Sequence, residues 1–183
     1  GFSLNQVHQD ETKFTGIKRG LNEITADDKD AFNHPAPFLI QDTQKLVSMC
    51  TKSGMRVLDP FCGSGTSLIA ASNISRFGVG IDLSSEYKDL ALERLSKKKL
   101  LENTDFQYFL GDSETILDSI ENIDYIVTSP PYHNILQNKG AGIRKENTKG
   151  YRDGSRTGIE YYSDSLNDLG NKETYEDFLN SFK

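Results

Sequence analysis

The sequence of 183 residues is poor in several things at once. It has two cysteines, Cys50 and Cys62, far apart and without metal-ligand spacing. That usage fits a reduced, cytoplasmic setting and gives no reason to expect a bound metal. No apolar run approaches the roughly 18 residues that a bilayer span requires. The tight glycine pair in "LDPFCGSGTS" is not followed by Gly-Lys-Ser/Thr, which excludes a Walker phosphate loop. It also lacks the G-x-G-x-x-G spacing of a nicotinamide fingerprint, and the aspartate and proline ahead of it are foreign to that pattern. Positive charge is scarce overall, with a net charge of -6. A local exception runs from Lys139 to Arg156, where six basic residues face only Glu146 and Asp153, a balance of +4. What the sequence does contain is 36% hydrophobic and 26% charged residues, the makeup of one globular domain with a proper core.

Strand-like and helix-like stretches alternate. After an irregular arm over 1–33, the two prolines of "NHPAPF" force extended backbone. A helix is expected from Leu39, with Leu39, Thr43, Leu46, Val47 and Cys50 on one face and Gly54 past its end. "MRVLD" reads as a buried strand, and the Gly63–Gly65 turn opens a helix near Thr66. "FGVGIDL" is a second strand, and "SSEYKDLALERLSKKK" a helix with Tyr87, Leu90, Ala91, Arg94 and Leu95 on one face. "FQYFLGD" and "SETILDSIEN" repeat the pattern. "IDYIVTSPPY" gives a fourth strand that ends at Pro130. The core then spans 34–132, a mobile basic loop 133–170, and the next core helix starts within 171–183 with Tyr175, Phe178, Leu179 and Phe182 as its apolar stripe. Such alternation implies right-handed crossovers and a mostly parallel sheet with helices on both faces, an α/β fold.

Ligands bind such sheets at the carboxyl ends of the strands. Four polar features fall there: Asp59 with its glycines, Asp82, Asp112, and Ser129-Pro130-Pro131-Tyr132. Each has a plain structural reading. The glycines could form an ordinary tight turn, Asp82 and Asp112 could cap the helices after them, and the proline pair could simply end a strand. Each also has a chemical one. Side-chain-free glycines let a ligand lie against backbone amides, a carboxylate at the second strand end can accept from both ribose hydroxyls, and one at the third from an adenine amine. The Pro-Pro turn can aim the Ser129 oxygen and the Pro130 carbonyl at one amino group while Tyr132 stacks on its base.

The set "HPAPF", "LDPFCGSGT", "GIDL", "LGDS" and "TSPPY" resembles the amino-methyltransferases that modify DNA at cytosine N4 or adenine N6 with S-adenosylmethionine. The resemblance implies a Rossmann-like methyltransferase fold and covers roughly Asn33 to Tyr132. It puts Phe38, Asp59, Gly63, Gly65 and Thr66 around the methionine end of the cofactor, Asp82 at the ribose and Asp112 at the adenine, with Phe61 and Leu83 as further cofactor-binding residues. Ser129, Pro130, Pro131 and Tyr132 become the catalytic turn, and "SPPY" leans toward cytosine N4. Cytosine C5 chemistry would need a cysteine after the proline pair, and none is there. Cys62, in the cofactor loop, reads as a small packing residue. The implied partner is double-stranded DNA with a flipped target base, in a restriction-modification or related system of prokaryotic or phage origin. The family sheet has seven strands and about four are identifiable here. A recognition domain and three strands are therefore expected to follow Lys183, or to come from a second polypeptide.

Overall fold

A computed structural model describes residues 26–29, 38–131, 133, 165 and 167–182. Most of the N-terminal arm, Tyr132 and the basic stretch 139–156 lie outside the described residues. The elements in chain order are a one-turn helix α1 (Ala26–Lys29), α2 (Ile40–Cys50), β1 (Arg56–Asp59), α3 (Thr66–Asn73), β2 (Phe77–Asp82), α4 (Ser85–Lys97), β3 (Phe106–Leu110), α5 (Ser113–Ile116), β4 (Tyr125–Ile126) and α6 (Tyr175–Phe182). Single 3-10 turns follow α5 at Leu117–Ser119 and precede α6 at Leu169–Asn171.

All three strand pairings are parallel and the order is β3-β2-β1-β4. The chain starts in the middle, moves outward through β2 and β3, and returns to the other side of β1. That reversal leaves a crevice above β1, where open α/β sheets take their ligands. It is the arrangement of a Rossmann-like fold.

Alternation along β2 divides the core. Val79 and Ile81 join Leu58 on one face, against Phe109, Ile116, Ile120 and Ile123. Gly78 and Gly80 turn to the other face, where α3 lies almost on the strand. A Cβ at Gly80 would sit 2.5 Å from the Cys62 sulfur, and one at Gly78 2.9 Å from Leu68. The larger core then forms from Ile40, Leu68, Ile69, Ala91, Leu95, Phe106 and Tyr108. Cys62 is buried in it, and burial pushes its thiol well above the ordinary range, with Asp59 and Asp82 adding to the shift. It is a packing residue.

Three expectations need correcting. The face of α2 that is buried is Ile40, Thr43 and Val47, while Leu46 and Cys50 are exposed. β4 has two ladder residues instead of the expected longer strand. β1 offers only four residues to pair with, and after Val127 donates to the Leu58 carbonyl the chain turns its Thr128 hydroxyl onto Asp59. The helix after β3 is one α turn, capped by Asp112, followed by one 3-10 turn, and the Thr115 and Ser119 hydroxyls bond local carbonyls in it.

Candidate cofactor cleft and catalytic turn

The glycine turn between β1 and α3 is anchored at nearly every backbone group. Cys62 N–H donates to the Ile81 carbonyl at 2.9 Å, and Gly63 N–H to Asp82 Oδ2 at 2.7 Å. The Gly63 carbonyl accepts from the Tyr108 hydroxyl at 2.9 Å, and burial raises the Tyr108 pKa, so the hydroxyl remains a donor. Gly65 N–H closes the turn on the Cys62 carbonyl at 3.0 Å. Gly65 itself has φ +76°, and a Cβ there would meet the Ala91 Cβ at 2.9 Å. Its missing side chain therefore serves the contact with α4. Thr66 is buried, its hydroxyl accepting from Arg94.

Asp59 is buried beneath the turn. Its Oδ1 accepts from the Phe61 N–H at 3.1 Å and from the Thr128 hydroxyl at 2.7 Å, so one carboxylate joins the glycine turn to the segment leading into Ser129. Burial raises its pKa, partly offset by those hydrogen bonds. Asp82 uses Oδ1 to accept from Ser84 N–H and Oδ2 from Gly63 N–H. It thus ties β2's end to the start of α4 and to the glycine turn. Burial pushes its pKa up to about 6, with hydrogen bonds from Ser84 and Gly63 opposing and the charges of Asp59 and Asp168 adding to the rise. Asp112 caps α5 through the Glu114 N–H and accepts from the Asn167 amide at 2.9 Å.

A single cleft is lined by Phe61, Asp82, Leu83, Asp112, Ser129 and Pro131 together with Pro60, Tyr87, Ser113, Glu114 and residues of the 167–181 segment. The ends of all four strands thus contribute to it or, like Asp59, lie under it. Phe38, Gly63, Gly65, Thr66 and Pro130 do not line it, and Tyr132 lies outside the described residues. Among the described residues, no three of His, Cys, Asp or Glu are grouped to hold a metal ion.

Sequence reasoning missed two sets of residues. Arg94 and Tyr108 look like core positions on an apolar face, and nothing in their spacing points to the glycine turn. The other set is Asn167, Asp168 and Leu169, in a segment expected to be a mobile loop, with Lys172 just beyond it where the next core helix is expected to start. Asp168 and Leu169 are buried, and Asp168 Oδ1 caps the 3-10 turn through the Gly170 N–H. Beyond them α6 stands beside the cleft, Phe182 stacking on Phe61 with ring centroids 6.3 Å apart. His133, just past the Pro-Pro turn, contacts Tyr175 and Phe178 and bonds the Lys172 carbonyl at 2.9 Å.

Residues 4–93 match the family described as DNA methylase. Over that stretch the chain is similar to DNA methylases. It is 37% identical over 81 residues to the type II methyltransferase M.ScaI of Streptomyces caespitosus, covering 44% of this chain and 24% of that one. It is 39% identical over 82 residues to a tRNA (guanine(10)-N2)-dimethyltransferase of Methanothermobacter thermautotrophicus, covering 44% and 23%. Among solved structures, TrmN from Thermus thermophilus superposes with a TM-score of 0.48 at 30% identity, over 58% of this chain and 32% of that chain. The chain spans about a quarter of the length of the curated relatives it matches. No helix among its described residues is long and apolar enough to cross a membrane.

Proposed function

We propose that this chain binds S-adenosylmethionine and carries the catalytic turn of a methyltransferase acting on an exocyclic amine of a DNA base. The observation that carries the reading is the convergence on one cleft of Asp82, Asp112 and Ser129 from three different strand ends. The donor set fits the cofactor. Asp82 and Asp112 have lone pairs beyond those used locally, suited to hydroxyl and amine donors, and Phe61 and Leu83 offer apolar walls. The acidic lining also suits a molecule that carries a sulfonium and an ammonium charge.

When bound, the cofactor supplies an electrophilic methyl group. The chain's own part is positioning. An exocyclic amine is a weak nucleophile because its lone pair is delocalised into the ring. Ser129 and the Pro130 carbonyl would accept its two N–H groups and favour a pyramidal nitrogen, and Tyr132 would stack on the extruded base. Asp59, through Thr128, would hold that turn in register with the glycine turn. On this reading residues 34–132 form the cofactor-binding and catalytic core, and the basic stretch 139–156 follows a nucleic-acid backbone. "SPPY" favours cytosine N4 over adenine N6, and a restriction-modification role follows from relatives such as M.ScaI.

A second reading, an RNA amine as substrate, is favoured by the likeness to the tRNA guanine dimethyltransferase. The test is transfer of labelled methyl from S-adenosylmethionine to duplex DNA and to tRNA, in the presence of whatever chain completes the enzyme. Products are then resolved as nucleosides by mass. N4-methylcytosine in DNA is the expected outcome. Label confined to tRNA would establish the second reading, and no label in either, with cofactor left unbound, would refute both.

A further inference from the structure

Besides Tyr108 and Asp82, which hold Gly63, one buried side chain grips the Ser64–Thr66 part of the glycine turn. Arg94 lies on the buried face of α4 and is only 3% exposed. One of its terminal nitrogens, Nη1, donates to the Ser64 carbonyl, to the Ser64 hydroxyl at 3.1 Å and to the Thr66 hydroxyl at 3.0 Å. The other, Nη2, donates to the Asp27 carbonyl of α1 at 3.1 Å. The guanidinium fork thus spans two parts of the chain that are far apart in sequence. Around it α1 is clasped to the core, with Lys98 pairing with the Asp27 carboxylate and the buried Asp28 accepting from the Ile40 N–H at 2.9 Å.

The consequence concerns one peptide plane. Ser64 C=O and Gly65 N–H belong to the same peptide and point in opposite directions. Arg94 holds the first and the Cys62 carbonyl the second. Gly65 is left-handed, and a glycine in that region can reorient its flanking peptides with little steric resistance. Pinning both poles removes that freedom before any ligand arrives. A preorganised loop does not lose that ordering entropy on binding.

We infer that Arg94 is a positioning residue for the cofactor loop, and that α1 is the clasp that keeps its fork aimed. The inference rests on the reading of this turn as a cofactor loop. A purely structural role would lower stability everywhere alike, whereas a positioning role loosens the turn beyond the loss of stability.

The experiment uses the 183-residue chain, with Arg94→Met, Arg94→Lys and, as a control, Val47→Ala, which empties a fully buried site among Val57, Ala71 and Val127. Amide hydrogen exchange is measured without cofactor, and S-adenosylmethionine affinity by calorimetry. In Arg94→Met, exchange at Gly63–Thr66 is expected to rise about tenfold beyond that in Val47→Ala, with a loss of affinity of about tenfold, the size of one charged hydrogen bond. Arg94→Lys keeps the charge without the fork, so it recovers melting temperature more than turn protection. It also serves if Arg94→Met does not fold. Turn exchange that rises no more than in the control, in whichever Arg94 variant folds, overturns the inference. If the wild-type chain binds no S-adenosylmethionine, the cofactor reading fails, and exchange at the turn alone still decides whether Arg94 positions it.

Discussion

Asp82 shows how one side chain can carry opposing demands. Its carboxylate gathers two backbone N–H groups at a strand end that a nucleoside would also use, and burial pushes its pKa up to about 6 from an ordinary 3.8. Between those two values the folded form holds a proton that the unfolded form releases. The group's contribution to stability is therefore fully present below about pH 4 and is lost as pH rises toward 6. Binding runs the other way, because protonation removes acceptor lone pairs. Asp82→Asn is expected to melt with a flatter pH dependence than the wild type between pH 4 and 6.5, and wild-type cofactor affinity to weaken below pH 6. Parallel melting curves for the two proteins would refute the shift. Glycines give a second test. Gly54 and Gly65 share a left-handed φ, +83° and +76°, but a Cβ at Gly54 meets nothing within 4 Å and one at Gly65 meets Ala91 at 2.9 Å. Alanine at Gly54 should cost about 1–2 kcal/mol from strain alone, and at Gly65 about 2–4 kcal/mol once crowding is added. Urea unfolding of the two variants measures the difference. Equal losses would mean α4 yields freely.

At the scale of elements, the central strands and the two helical crossovers through α3 and α4 were legible because their signals are local. The run in β1, the glycine-spaced β2 and the Ser84 cap on α4 each declare an element within a few residues. The approach of the strand ends followed from topology alone. What could not be read was set by contacts across long stretches of chain: the shortness of β4, the grip of Arg94 on the turn, and the docking of residues 167–171. Asp112 illustrates the limit. Both readings open to it from sequence rely on its being an acceptor, and it is one, for the Glu114 N–H and for the Asn167 amide 55 residues away. That amide occupies the oxygen that an adenine amine would seek. Asn167→Ala should free it, and calorimetry is expected to find S-adenosylmethionine binding severalfold tighter than in wild type. Weaker binding in the variant would instead make the Asn167 amide, which lines the cleft, a contact to the cofactor.

The whole molecule carries its charge unevenly, and that matters more for its partner than the net value does. A chain at -6 repels a polyanion at long range, yet the stretch 139–156, which follows Ser129-Pro130-Pro131-Tyr132 in the sequence, holds a balance of +4. The acidic groups, by contrast, include Asp59, Asp82 and Asp168, turned inward beneath or beside the cleft. If a nucleic acid runs along the basic stretch, as proposed, each phosphate neutralised there would release condensed counterions. Affinity then falls with salt in proportion to the number of phosphates contacted, a slope of about -0.9 per contact for duplex DNA. Changing Lys139, Arg144, Lys145 and Lys149 to glutamine should weaken duplex binding by a similar factor for any sequence. It should also flatten the plot of log affinity against log salt by about three to four. Fluorescence anisotropy with a labelled duplex between low and physiological salt measures both. Cofactor affinity, read in the same variant, should not change, because these four residues are proposed to contact phosphates and to take no part in holding the cofactor. A slope identical to that of the wild type would take the nucleic acid along a different face of the protein.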